Sequence, residues 1–323
     1  MLGRYLKPMI RYEYVDTTIK AQDIHPDIIF TKEQELAQSF VENLLQSQQL
    51  VTNIQDNELL FKKWNVPYVI SPQTWSVKAN LKLSHDILQD YFYHSELAKF
   101  RASKEYQQTM SENRHDLWEN QINWIETRIS RYLGNSQYHI SDCGSKAVGW
   151  LELLAKASFT KNLSTIDPLP PIVTTELSDE PVDIICLIDT LQRQLDAKTF
   201  LTQTAQQLKS DGLLIITCRG LGFDVLTLRE HSDSIFPLDH LFLPSPLAMQ
   251  KLLEETGFEV LEITTPGLMD AAYVNKSKEQ IPPDQYFQRY LMAQQDPFLL
   301  ERLQGFLQRN NLSSHLRCVA KKK

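Results

Sequence analysis

Glycine is scarce in this chain, with ten residues in 323. It is the residue that lets backbone approach a ligand closely or turn into left-handed conformations. Few positions can therefore build a close-fitting ligand loop. Cysteine is scarcer still. Cys143, Cys186, Cys218 and Cys318 lie far apart with no CxxC pair. That spacing excludes a paired-thiolate zinc signature and suits buried free thiols in a reducing compartment. No run approaches the roughly 18 apolar residues of a membrane span, and the opening MLGRYLKPMIRYEYV lacks the apolar core of a signal peptide. We expect a cytoplasmic protein without a membrane partner. Positive charge is also in deficit: 33 Lys and Arg against 40 Asp and Glu give a net charge of −7. With no basic stripe, a nucleic-acid partner is excluded, because clustered Lys and Arg drive phosphate-backbone binding.

What is present is a sizeable core, since 42% of the residues are hydrophobic and the length allows one large domain with an appendage. The stretch 182–267 organises the chain. VDIICLID (182–189) has the length and β-branching of a strand buried on both faces. A helical spacing follows from Leu191 to Leu208, with Ser210-Asp211-Gly212 as its expected stop. LLIITC (213–218) is a second buried strand. Ser245-Pro246 opens a helix that Gly257 ends, and 258–265 is a third strand. Strand, helix, strand, helix, strand is the order of a parallel sheet with crossovers. Upstream, residues 1–31 read as an arm. Thr31 is the expected cap of a helix bearing Leu36, Phe40, Val41, Leu44 and Leu45. Residues 53–79 are irregular and aromatic, with strand-like pieces around 68–70, and 81–133 is helical, with Trp118, Ile122, Ile125, Ile129 and Leu133 on one stripe.

The residues "LKSDGLLIIT" and "FPLDHLFLPSPLAMQKLLEETGFEVLEITTPG" resemble the second half of a class I S-adenosylmethionine-dependent methyltransferase. The ending "LQGFLQRNNLSSHLRCVAKKK" is similar to that of a bacterial subgroup often linked to surface-glycan and natural-product pathways. The resemblance implies a Rossmann-like α/β fold: a mostly parallel sheet with an antiparallel last strand at 315–321, plus a mainly helical N-terminal lobe. The expected division is a lobe at 1–133 and a methyltransferase domain at 134–323, with inserts at 222–244 and 268–312. In that subgroup a zinc ribbon often precedes a segment like "LQDYFYHSELAKF" (88–100). The segment is here, but VISPQTW (69–75) offers no cysteine ligands, so no metal is expected and an aromatic core must hold the lobe.

The resemblance also implies the cofactor S-adenosyl-L-methionine, bound where strands end. In YHISDCGSKAVGWLELL (138–154), Asp142 and Gly144 match the acid and first glycine of the family's D-x-G-x-G motif, and Ser145 takes a small-residue position. Lys146 stands where the second glycine usually is, while Gly149 offers flexibility later. Asp167, closing LSTID, is the candidate for the ribose hydroxyls, or else a turn residue before Pro168. Only sixteen positions separate Asp167 from Asp183, so a third strand is reduced to IVTTEL (172–177) or missing. After the next strand, Asp189 and Leu191 match the family pattern, but Gln192 and Arg193 replace its acid–histidine pair. Glutamine cannot take a proton at neutral pH. Acid–base candidates are then His231, Asp239 and His240 in LREHSDSIFPLDHLFLP, of which His240 matches a histidine frequent in the subgroup.

These residues imply methyl transfer to a small-molecule or sugar acceptor. A catalytically silent relative, kept as a binding or partner protein, is the alternative that the departures at Lys146, Gln192 and Arg193 favour. A nicotinamide oxidoreductase would need the fuller G-x-G-x-x-G.

Overall fold

The computed structural model describes residues 28–52, 59–145, 147–167, 180–294, 296 and 298–323. Lys146 and the expected strand at 172–177 lie outside them. The chain forms two compact units, each assembled from three sequence segments. One comprises 1–83, 219–251 and 262–317; the other comprises 84–218, 252–261 and 318–323.

The first unit opens with α1 (Ile28–Gln46). Thr31 falls inside this helix rather than at its start, where a hydroxyl side chain is tolerated. A short β1 (Val51–Thr52) pairs antiparallel with β5 (Leu81–Lys82). Between them β2 (Leu59–Lys63), β3 (Val66–Ile70) and β4 (Val77–Ala79) form an antiparallel meander, which β10 (Phe242–Leu243) extends in the order β10-β4-β3-β2. Trp64 and Asn65 make the β2–β3 turn with positive φ, and the aromatic rings of Phe61 and Tyr68 stack 4.9 Å apart across the pair. An aromatic and aliphatic core of Phe61, Val66, Tyr68 and Val77 fills this sheet.

The second unit starts with α2 (His85–Gln89), a π-helical turn at Asp90–His94, α3 (Glu96–Ala102) and the long α4 (Lys104–Tyr132). Ser84, Ser95 and Ser103 each cap a helix start by accepting a backbone N–H, which breaks the helical stretch into successive pieces. Then come β6 (Tyr138–Cys143), α5 (Val148–Lys156), β7 (Thr160–Ile166), β8 (Val182–Ile188), α6 (Ala197–Gln207) and β9 (Leu208–Arg219). Helices α7 (Phe223–Leu228) and α8 (Pro246–Glu255), strand β11 (Phe258–Thr264), helices α9 (Asp270–Lys276), α10 (Tyr286–Met292) and α11 (Leu299–Arg309), and strand β12 (His315–Lys322) complete the chain.

The large sheet has the order β11-β12-β9-β8-β6-β7. The pairs β6–β7, β6–β8 and β8–β9 are parallel. At the far side, Lys323 N donates to Gly257 O (3.0 Å), so the end of β12 meets the start of β11. Likewise Lys322 Nζ reaches Leu208 O at the start of β9. The last strand is thus inserted antiparallel, as its sequence implied. Ser210-Asp211-Gly212 does not stop a helix. The register jumps from Val182↔Leu208 to Ile184↔Leu213, and Asp211 has φ +65, so this turn chemistry builds a bulge within β9. Helix α6 ends earlier, at Gln207.

The sheet core joins Ile140, Ile184, Cys186, Leu213, Ile215 and Val319 to the stripe Trp118, Ile122, Ile125 and Ile129 of α4 and to Trp150 and Leu154 of α5. All four cysteines are free and buried. Among the described residues no helix is long and apolar enough to cross a membrane, and no cluster of His, Cys, Asp and Glu is arranged to hold a metal ion.

Candidate cofactor site and acid–base loop

Strands β7, β6 and β8 are neighbours that run the same way, with Cys143 opposite Ile166 and Asp142 opposite Cys186. Their carboxyl ends therefore bring together Asp142 near the end of β6 with Gly144 and Ser145 just after it, Asp167 after β7, and Asp189 and Leu191 after β8. In open α/β sheets this is the edge where ligands bind.

Asp142 is 1% exposed. One carboxylate oxygen accepts from Trp150 Nε1 (2.8 Å), and the other from Ser145 Oγ (2.7 Å) and Ser145 N (3.2 Å). Burial pushes its pKa up, against the opposing pull of the Ser145 and Trp150 bonds. The side chain thus braces the turn after β6 and ties it to α5. Gly144 makes that turn with φ +86, a conformation that side chains resist. Burial, and then the carboxylates of Asp142 and Asp167, push the Cys143 thiol well above its usual range, so it is no nucleophile.

After β8, Asp189 turns with φ +53, and its N–H donates to Thr217 O (2.9 Å). An aspartate tolerates this left-handed region better than most residues. Thr190, fully buried, donates its hydroxyl to Cys143 O and so ties the β6 and β8 turns together. Leu191 is fully buried, in the 3₁₀ turn Leu191–Arg193. Gln192 is 3% exposed, and its Oε1 has no hydrogen-bond partner among the described residues. An orphaned buried carbonyl fits a ligand that brings an N–H or O–H to it.

Asp167 is exposed, and the phenol of Tyr93 donates to both of its carboxylate oxygens. Tyr93 comes from the π-helical turn 90–94, a distortion frequent at functional sites. Burial and then the bond to Asp167 push the Tyr93 phenol well up. Its neighbour Phe92 lies under the Arg193 guanidinium at 5.4 Å. The turn is thereby anchored beside the ends of two strands. Tyr93 and Thr190 were not among the residues that the sequence pointed to, and Gln192 stood out only as a departure from the family pattern; only the resemblance of 88–100 marked the segment that carries Tyr93.

The acid–base candidates sit in the first unit, in the loop 229–240. Lys63, at the end of β2, is 5% exposed and donates to Glu230 O (2.9 Å) and Ser232 O (3.0 Å). Burial lowers its pKa, while Asp233 and Glu230 oppose that shift. Trp64 stacks on Phe236 at 5.8 Å, and Tyr68 donates its hydroxyl to His240 O (3.0 Å). The small sheet thus holds the loop at both ends. His240 Nδ1 lies 3.0 Å from Phe236 N and 3.2 Å from Phe236 O, so each tautomer has a backbone partner. Asp239 is 4% exposed, whereas His231 lies at the surface near Glu230 Oε1 (3.7 Å). Asp239 and His240 are adjacent; His231 belongs to a separate turn.

Residues 110–263 match the family model described as a methyltransferase domain. No curated protein matches the sequence. Among solved structures, similarity extends to a phosphoethanolamine N-methyltransferase 2 of Haemonchus contortus, in complex with phosphomonomethylethanolamine and S-adenosylhomocysteine. Identity is 14% over 88% of this chain and 74% of that one, with a TM-score of 0.44. The plantazolicin methyltransferase BpumL with S-adenosylhomocysteine is 14% identical over 74% and 95%, at 0.43. A S-adenosylmethionine-dependent methyltransferase of Mesorhizobium loti is 11% identical over 58% and 92%, at 0.36. The match to the methyltransferase-domain model thus runs from within α4 through β6–β9 into β11, and so takes in the strand ends described above.

Proposed function

We propose that the chain binds S-adenosyl-L-methionine at the ends of β6, β7 and β8 and transfers its methyl group to a small-molecule or sugar acceptor. The observation that carries this reading is the convergence of a left-handed glycine turn with an exposed carboxylate on adjacent parallel strands. Gly144 leaves room for close backbone approach, Ser145 presents a hydroxyl, and Asp142 holds both in place from beneath. Asp167 accepts the two ribose hydroxyls. Asp189 shapes the turn after β8, and Leu191 packs that turn onto the sheet. The bound cofactor supplies an electrophilic methyl group.

Proton removal from a hydroxyl or amine acceptor falls to His240. When Nδ1 carries the proton it donates to Phe236 O, which makes Nε2 the basic atom. Asp239 and His231 are the secondary candidates. A silent relative that binds without catalysing is the second reading, favoured by Gln192 where the family has an acid and by the phenol already on Asp167.

Isothermal titration with S-adenosylmethionine and S-adenosylhomocysteine tests the proposal. Asp167→Ala should weaken binding by about tenfold or more, since it deletes charge-assisted bonds worth about 1.5–3 kcal/mol each. No binding by the parent protein at millimolar ligand would sink the reading. Binding without methyl transfer to any acceptor would favour the silent relative.

A further inference from the structure

Tyr93 and Asp167 are 74 positions apart in sequence, yet they meet in a hydrogen bond at the ends of these strands. A phenol has one proton. To reach both oxygens of one carboxylate it must lie between them, on the line that bisects the group. That is where a vicinal diol sits when its two hydroxyls donate one to each oxygen. The phenol and the ribose therefore compete for the same lone pairs, and the carboxylate cannot receive the diol in this way until the tyrosine gives way.

We propose that Tyr93 is a specificity-determining gate on the diol subsite: it satisfies the Asp167 carboxylate in the absence of cofactor and is displaced by a ligand that brings two adjacent hydroxyls. The inference rests on the cofactor reading of Asp167 given above. The placement of Tyr93 supports it. The residue is carried on a five-residue π-helical turn rather than on a continuous α-helix, and serine caps bracket the pieces on either side. That turn is held at Tyr91, which is 1% exposed, and at Phe92, which lies against Arg193; Tyr93 itself is only partly buried. The anchors fix Tyr91 and Phe92 and leave Tyr93 as a partly buried member of the turn. A diol brings two O–H donors, one for each carboxylate oxygen, where the phenol or a single-hydroxyl ligand brings one proton, so the exchange favours the diol.

The test is a binding cycle on the full chain, read by titration with S-adenosylhomocysteine. Tyr93→Phe deletes only the competing hydroxyl and should tighten binding by about three- to tenfold, the range of one ordinary hydrogen bond, since solvent at this exposed carboxylate offsets part of a charge-assisted one. In an Asp167→Ala background the same substitution should change nothing, because the contested carboxylate is gone. Tyr93→Leu, which also lacks the hydroxyl, should show the same direction if the phenylalanine variant does not fold. Unchanged or weaker binding in Tyr93→Phe, or an equal effect with and without Asp167, overturns the gate. If Asp167→Ala alone leaves affinity unaltered, the cofactor reading fails as well, and the two failures are thus told apart.

Discussion

Asp183 shows how single residues fasten the sheet at the end away from the candidate site. It stands second in β8, and its carboxylate accepts from Lys209 Nζ (2.7 Å) at the start of β9 and from His139 N (2.9 Å) in β6. One side chain thus bridges three adjacent strands. Burial pushes its pKa up, but the Lys209 and His139 contacts outweigh that and hold it below the ordinary value. A carboxylate whose pKa is depressed on folding contributes stability at pH values above its unfolded pKa, near 4, and loses that contribution as pH falls through the folded value. Asp183→Ala should therefore cost about 1–2 kcal/mol at pH 7 and much less below pH 3. Paired thermal melts at the two pH values measure it; an equal loss at both would show that the charge is irrelevant. Asp142 has the opposite sign. Its raised pKa means that, taken alone, it favours folding more at acidic than at neutral pH.

At the scale of elements, α4 carries the instructive packing. Its stripe of Trp118, Ile122, Ile125 and Ile129 was legible from spacing alone, because a period of 3.6 puts those positions on one face. The same sequence offered Gly149 as spare flexibility near the cofactor turn. In the structure Gly149 lies inside α5, and a Cβ there would meet Trp118 Cζ3 at 2.6 Å and Ser111 Oγ at 3.0 Å. Glycine is present so that two helices can approach. Such a contact between α4 and α5 leaves no periodic trace in the sequence. Alanine at 149 would gain up to about 1 kcal/mol of helix propensity. It would also overpack the indole, at about 1–3 kcal/mol. The second effect is the larger, since Trp118 is only 8% exposed and has little room to shift. Gly149→Ala should lower the melting temperature by several degrees; an unchanged or higher value would mean that the indole relocates freely. The bulge in β9 is a comparable case. Ser-Asp-Gly reads as a helix stop, and only the pairing with β8 reveals that it interrupts a strand.

For the molecule as a whole, legibility followed burial. Strands β8 and β9 were readable as continuous apolar runs, because both faces of a central strand are covered. Strand β7 lies at the sheet edge with none of its residues fully buried, and so gave a weak signal. The small sheet β10-β4-β3-β2 was only partly anticipated, as its fourth strand arrives from more than 160 positions downstream. The Tyr93–Asp167 contact was invisible for the same reason: no local pattern encodes a meeting of residues 74 apart. Strand β12 illustrates the converse. It was expected from the resemblance as an antiparallel last strand, and the structure inserts it between β9 and β11 rather than at an edge. Val319, fully buried, packs in the same cluster as Ile184 and Leu213, so the sheet core remains open until this strand is in place. Val319→Asp would place a carboxylate with no partner in that cluster, a cost of several kcal/mol set against the 5–15 kcal/mol that typically holds a domain. The variant should lose its cooperative melting transition. Lys323→Glu, four positions on and exposed, should melt like the parent. If Val319→Asp also melts like the parent, β12 does not complete the sheet in solution.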